Sequence, residues 1–312
     1  MIPQYEQKRA IEAWQKLVHV CRRWRSLIFR PPRRLDLQLF CTSETRAKDT
    51  LDAWPALPLT ICNNRDLPSC TTDNIIVALQ QSKRVYKVDF FLTSWKMEEV
   101  LAVMQAPFPE LTDLELISDD GRSPAIPDSS SRKVTFLGGS APRLQFLNLS
   151  NISFPRLPNL LLSATQLVYL KLRIPHSGYI SPEAMVAPFS MLSKLEELSL
   201  IFQSPQSYPD WGSRSLPPPE RQILPAIHRF YCKGVTEYLE DLVTHIDAPQ
   251  LNNLHITFFN QIDFSCPRLA QFIDCTPTLR ALDKAYVKFD DTAASIRLRS
   301  LEATSESRFF TL

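Results

Sequence analysis

Glycine is scarce: six in 312 residues, and none falls in a GxGxxG or phosphate-loop spelling, so nucleotide binding by those two routes is excluded. No stretch approaches the roughly 18 uninterrupted apolar residues that a membrane-crossing helix needs. Glu6, Lys8 and Arg9 occupy the start without an apolar run beside them, so neither a signal peptide nor a membrane anchor is expected. Excess charge is missing too. With 35 basic and 33 acidic residues the net charge is +2, which removes any global attraction to nucleic acid or to an anionic membrane. The seven cysteines (21, 41, 62, 70, 232, 266 and 275) are odd in number, scattered and never in CxxC. They read as buried thiols of a reducing compartment, cytoplasmic and/or nuclear, rather than as a disulfide framework. HExxH, GxSxG and the kinase motifs are all absent, and the five histidines stand at spacings unsuited to a metal. Asp119-Asp120 reads as turn chemistry rather than as an acid and base pair. The sequons at Asn148 and Asn151 read as chance products of a strand end. No catalytic residue, metal or cofactor is expected.

What the chain has in abundance is a returning pattern: apolar, two others, apolar, one other, apolar. It is clearest in LTDLEL (Leu111, Leu114, Leu116), LQFLNL (Leu144, Leu147, Leu149), LVYLKL (Leu167, Leu170, Leu172) and LEELSL (Leu195, Leu198, Leu200). Weaker copies begin at Val85, Ile227, Leu251 and Leu279, so successive copies start 23 to 33 residues apart. That period lies near the long end of leucine-rich-repeat spacing. In a strand, alternate side chains face opposite ways, so the last two apolar residues of each copy share one face and their neighbours the other. One such unit cannot bury its apolar face alone, whereas stacked neighbours share a core. The expected fold class is α/β: a leucine-rich-repeat-like solenoid with a parallel strand ladder and helices or irregular segments outside.

Three intervening stretches have helical spacing: Lys96 to Gln105, Thr236 to Ile246, and TTDNIIVALQQS from Thr71. The 25 prolines gather before the strands in FPEL, APRL, APQL and TPTL, where a fixed φ and a missing donor cost little. Between Cys41 and Thr72 the pattern lapses, with a short helix expected in TSETRAKDTLDAW and a strand in LPLTICNN. Residues 118–132 and 204–220 read as polar, proline-containing loops of the kind that emerge on one side of a repeat array and often meet the partner. After Ala285 the spelling decays into a last strand and a tail.

The first 34 residues carry a signal of their own. Ile11, Trp14, Leu17, Val18, Cys21, Trp24 and Ile28 lay one apolar stripe along a helix over Ala10 to Phe29, which Pro31 and Pro32 must end. RRLDLQLF then alternates Leu35, Leu37 and Leu39 at the period of a strand. The stretch WQKLVHVCRRWRSLIFRPPRRLDLQLF resembles the C-terminal half of an F-box leading into the first strand of a repeat array, as in the F-box proteins of mushroom-forming fungi. The family's first helix, which opens on a Leu-Pro pair, has no counterpart ahead of Leu17, where Ile2-Pro3 stands. The resemblance implies that Leu17, Val20, Cys21, Trp24 and Leu27 pack a module that docks on a Skp-type adaptor, which joins a cullin scaffold. A plain helix capping the array is the alternative for this segment. Arg22, Arg23, Arg25, Arg30, Arg33 and Arg34 read as a solvated face rather than a nucleic-acid patch, since no aromatics interleave with them.

The expected organisation is a partial F-box module over 1–34, a linker or degenerate first repeat over 35–72, and the array over 73–312. On each strand the residues flanking the last two apolar positions face the concave side, for example Asp113 and Glu115, Asn148 and Ser150, or His255 and Thr257. Aromatic and Arg side chains dominate interface energetics, so Phe146, Tyr169, Lys171, Arg173, Arg229 and Tyr231 are the candidate partner-binding stripe. The expected function is substrate recognition in a Skp-cullin-F-box type ubiquitin ligase, with a protein target of unknown identity. The alternative is an adaptor-independent interaction scaffold on the same array.

Overall fold

A computed structural model describes residues 37–41, 46–54, 56–63, 71–119, 123–126, 135–203, 221–259, 266–281, 285–290 and 293–299. The helix expected over Ala10 to Phe29, and with it Leu17, Val20, Cys21, Trp24 and Leu27, lies outside the described residues. So does loop 204–220, together with most of 118–132.

The leading residue of each apolar triplet closes a tight turn. The amides of Leu111, Leu144, Leu167, Leu195 and Leu251 donate to the carbonyls of Phe108, Ala141, Ala164, Leu192 and Ala248, three residues back, at 3.0–3.2 Å. Pro109, Pro142 and Pro249 take the second position of three of these turns, where the proline ring presets φ and no amide hydrogen is needed. Each turn buries its leucine and aims the next residues along a strand.

The strands are β1 (Leu37–Phe40), β2 (Leu59–Cys62), β3 (Val85–Leu92), β4 (Asp113–Ser118), β5 (Phe146–Ser150), β6 (Tyr169–Ile174), β7 (Glu197–Phe202), β8 (Gln222–Ile223), β9 (Arg229–Gly234), β10 (Ile246–Asp247), β11 (Asn253–Phe259), β12 (Ala285–Asp290) and β13 (Ala293–Arg299). Eleven of them form one mostly parallel sheet in the order β1-β2-β3-β4-β5-β6-β7-β9-β11-β13-β12, while β8 and β10 form a separate parallel pair. From β1 to β11 the sheet follows chain order and every pair is parallel. Equivalent positions are in register: Leu114 sits beside Leu147, Leu147 beside Leu170, Leu170 beside Leu198 and Leu198 beside Phe230. Just before the strands, one carbonyl serves two amides of the next turn. Gln145 O accepts from Val168 N and Tyr169 N at 2.8 and 3.0 Å, and His228 O from Asn252 N and Asn253 N at 3.2 and 3.0 Å.

The core lies on one face of this sheet. Leu114, Leu116, Leu147, Leu149, Leu170, Leu172, Leu198 and Leu200 are all buried, and one continuous cluster joins them to the connecting segments. Helix Thr72–Leu79 supplies Ile75, Ala78 and Leu79, helix Ser94–Val103 supplies Met97, Val100 and Leu101, and helix Thr236–Thr244 supplies Leu239, Leu242 and Val243. Each fully buried leucine of this kind contributes roughly 1.5–3 kcal/mol relative to exposure. Among the described residues, none of the helices is long and apolar enough to cross a membrane.

Several boundaries differ from the sequence expectation. The segment expected to run helically to Ile246 stops at Thr244, because Ile246 and Asp247 pair with Gln222 and Ile223. The lapse between Cys41 and Thr72 is a break in spelling and not in the sheet. β1 and β2 pair in parallel with each other, and β2 joins β3 across a register shift at Leu59/Thr60, with helix Ala47–Ala53 between β1 and β2.

The largest correction concerns the end of the sheet. The spelling at Leu279 predicts another parallel rung, but Leu279 lies buried inside a short helix, Pro277–Arg280. Pro277 has its φ preset for a first helical turn, and the helix it opens replaces the tight turn seen at Pro109. The sheet then closes antiparallel, β11 with β13 and β13 with β12. Only two residues separate Asp290 from Ala293, far short of the dozen or so that a parallel crossover requires. A second correction concerns the cysteines. Cys41 and Cys232 are buried as expected, whereas Cys275, the last residue of helix Pro267–Cys275, is exposed.

Candidate functional site: the open strand face

Among the described residues, the face of the sheet opposite the leucines has no helix laid over it, and strict register sorts its side chains into three rows that cross the strands. The first row runs Lys87, Asp113, Phe146, Tyr169, Glu197, Arg229, Asn253. The second runs Asp89, Glu115, Asn148, Lys171, Ser199, Tyr231, His255, Arg297. The third runs Phe91, Ile117, Ser150, Arg173, Ile201, Lys233, Thr257, Ser295. All six residues of the candidate stripe stand on this face. Phe146, Tyr169 and Arg229 share the first row, Lys171 and Tyr231 the second, and Arg173 the third.

Side chains interact within the rows and between them. The rings of Phe146 and Tyr169 stack with centroids 4.6 Å apart and 5° between planes. Tyr231 meets the His255 ring edge to face at 4.7 Å, and Lys233 Nζ lies 5.2 Å from the Phe259 ring centre. Arg229 pairs with Glu197 on the adjacent strand. Asn148 Nδ2 donates to Glu115 Oε1 at 2.8 Å, and Ser150 Oγ donates to Asn148 Oδ1 at 3.2 Å.

These contacts decide what a partner could touch. Asn148, Ser150 and Thr257, expected to be open to a partner, are buried beneath longer neighbours, so they support the face instead of presenting it. Tyr169, Lys171, Arg173 and Tyr231 are half-buried and Arg229 is exposed. Burial and the carboxylates of Glu197 and Glu115 push the Tyr169 phenol up to about 12, so it stays an uncharged donor. Burial and the adjacent Arg173 guanidinium lower the Lys171 pKa, partly offset by Glu115. Arg173 is under-satisfied as well, because its Nε is buried with no hydrogen-bond partner among the described residues. Burial and Arg297 push the His255 imidazole down to about 4, so it is neutral at pH 7.

Side-chain amides finish the strand ends. Asn63 continues β2 beside Phe91 by donating from Nδ2 to Phe91 O at 2.5 Å and accepting from Phe91 N at Oδ1 at 2.7 Å. Asn151, at φ 62° just past β5, donates from Nδ2 to Ser118 O at 2.8 Å, which gives that Asn a structural task. Arg297 joins the face unforeseen, since its place depends on the antiparallel register of β13, to which the repeat spelling gives no clue. Among the described residues no group of three or more His, Cys, Asp or Glu side chains is placed to hold a metal ion. The face is a broad, half-buried floor with aromatic rings at its middle and charge on both sides.

Compared with the models of known protein families, with curated proteins and with solved structures, the chain matches none of them.

Proposed function

We propose that this chain is the substrate-recognition subunit of a Skp-cullin-F-box type ubiquitin ligase, itself non-catalytic, working in the cytoplasm or nucleus. In this reading the sheet and its connecting segments are a leucine-rich-repeat-like solenoid, and its open strand face takes a protein target. The observation that carries the proposal is a strand face that no helix covers among the described residues, with stacked Phe146 and Tyr169 and the cations Lys171, Arg173 and Arg229 at its middle. Aromatic and arginine side chains on a rigid, partly desolvated floor are the composition of interface hot spots. The VCRRWRSL spelling at residues 20–27 adds the second half of the proposal, a bridge to a Skp-type adaptor through Leu17, Val20, Cys21, Trp24 and Leu27. The balanced charge of the chain speaks against nucleic acid and membrane as partners.

Co-expression with a Skp-type adaptor tests the bridge. The expected result is co-purification through size exclusion, lost on Trp24→Ala/Leu27→Ala while the face variant Lys171→Glu retains it. Absence of adaptor from the wild-type peak would overturn the ligase assignment. The second reading, an adaptor-independent scaffold on the same solenoid, draws on the fact that every row of the face is built from residues 87–297 without the N-terminal segment. Target capture that survives Trp24→Ala/Leu27→Ala, with no adaptor bound by wild type, would select it.

A further inference from the structure

Charge is not mixed evenly over the open face. Its acidic groups gather on β3 and β4, as Asp89, Asp113 and Glu115, with Lys87 the one cation beside them in the rows. From β6 onward the sign reverses to Lys171, Arg173, Arg229, Lys233 and Arg297, with Glu197 the one carboxylate in these rows, already paired with Arg229. Between the two zones lie the uncharged positions of β5 and the Phe146–Tyr169 stack. The chain as a whole is close to neutral, so this division is a property of the face and not of composition.

Arg173 Nε is buried and unpartnered among the described residues. Arg173 follows Leu172, which points into the core, and so shares the open face with Lys171 two residues back along β6. Two cations placed this way on a half-buried floor gain from an external anion, and a carboxylate can take two donors of a guanidinium at once. Burial and Arg173 already weaken the proton affinity of Lys171, which an approaching carboxylate would restore.

We infer that the face takes one extended segment of a protein partner, laid across the strands, with a basic side chain over Asp113 and Glu115 and a carboxylate over Lys171 and Arg173. This rests on the reading of the face as the target site and adds the chemistry of the target. Neighbouring strands lie about 4.8 Å apart, so β6 lies about 10 Å from β4 and about 14 Å from β3, and in an extended chain a residue and the fourth one after it face the same way about 13 Å apart. The fitted segment therefore carries its basic and acidic side chains about four residues apart, with an apolar or aromatic residue midway on the same side to meet the Phe146–Tyr169 stack. A uniformly anionic ligand such as RNA would meet repulsion at Asp89, Asp113 and Glu115, and a uniformly basic one at β6 to β13.

The test uses the whole chain and two fluorescein-labelled peptides of one composition, read by anisotropy at low salt. In the first, Lys and Glu stand four residues apart with a Tyr midway between them; in the second, the same residues are reordered so that no Lys and Glu keep that spacing. The spaced peptide is expected to bind at least about fivefold tighter, a difference of about 1 kcal/mol. Lys171→Glu/Arg173→Glu should abolish the preference, and Lys171→Ala, the milder change, should at least halve it. A version of the spaced peptide with Glu replaced by Lys should recover binding to the double variant. Thermal melts that match wild type show that each variant is folded. Equal binding of the two peptides, a preference unchanged in Lys171→Ala, or tighter binding of a single-stranded RNA oligonucleotide than of either peptide overturns the inference. A peptide failure with target cross-linking at Ser199 intact overturns the charge assignment alone, whereas loss of that cross-link overturns the underlying reading of the face.

Discussion

Phe146 on β5 and Tyr169 on β6 are direct register partners, and their rings lie 4.6 Å apart at 5° from parallel on the half-buried face. The stack spans two rungs of a parallel sheet and fixes the floor between the acidic and basic zones. Cross-strand aromatic pairs contribute about 0.5–1.5 kcal/mol beyond their burial. A double-mutant cycle of Phe146→Ala and Tyr169→Ala, followed by urea unfolding, is expected to give a coupling of about 1 kcal/mol. Additive losses would show that the rings are neighbours without being partners.

Helix Pro267–Cys275 gets its N-terminal cap from another helix. Glu240, buried in Thr236–Thr244, accepts from Arg268 N at 3.0 Å and Leu269 N at 2.7 Å, while Arg268 Nη1 donates to Asp241 at 2.5 Å. Both amides are among the unsatisfied donors of a first turn, and a carboxylate there also complements the helix dipole. Glu240→Ala should cost about 1–3 kcal/mol, since the buried Leu269 amide and the part-buried Arg268 amide lose their acceptor, and Asp241→Ala much less, because its pair is exposed. Chemical denaturation of the two variants checks the ranking.

His255 gives a pH dependence of definite sign. Its native pKa is pushed down to about 4 by burial and Arg297, against about 6.5 unfolded. Other charged and titratable groups on the neighbouring strands are Lys233, Arg229 and Tyr231 of β9, which do not offset the cationic surroundings. Above about pH 6.5 both states are neutral and the residue contributes no pH dependence. As pH falls from about 6.5 to about 4 the unfolded state takes up the proton first, so stability is lost across that window. The urea midpoint of wild type should fall more steeply over that range than the midpoint of His255→Gln.

Gly138 occupies a left-handed position at φ 68°, and a Cβ there would lie 2.9 Å from Pro107 Cγ and 3.1 Å from Pro107 Cα. Both the backbone angle and the close approach require glycine. Gly138→Ala is expected to destabilise by about 1–2 kcal/mol, measured as a lower melting temperature. An unchanged melt would mean that the turn relocates at no cost.

The strand ladder is legible because the triplet couples two independent signals: a leucine that closes a turn with a proline or small residue ahead of it, and an alternating pair that follows. Leu111, Leu144, Leu167, Leu195 and Leu251 all do what that spelling implies. At Leu279 the same letters fail, since TPTL can also open a helix and the short link from β12 to β13 compels an antiparallel return. The membership of the face follows from alternation, but its depth does not. Asn148 and Ser150 are buried by the reach of Glu115 and of neighbouring side chains, which a one-dimensional pattern does not encode. The Glu240 cap and the place of Arg297 are likewise contacts between distant segments.

The most direct measurement is photo-cross-linking from the middle of the open face. A photoactivatable residue at Ser199, half-buried in the second row between Lys171 and Tyr231, is compared with the same residue at Met191, exposed on the connecting segment before β7. The expected result is a target protein joined at position 199 and not at 191, in complexes that also contain the Skp-type adaptor, with that target accumulating when the chain is removed from cells. Adducts at 191 alone, or an adaptor-containing complex in which position 199 joins nothing, would contradict recognition through the strand face.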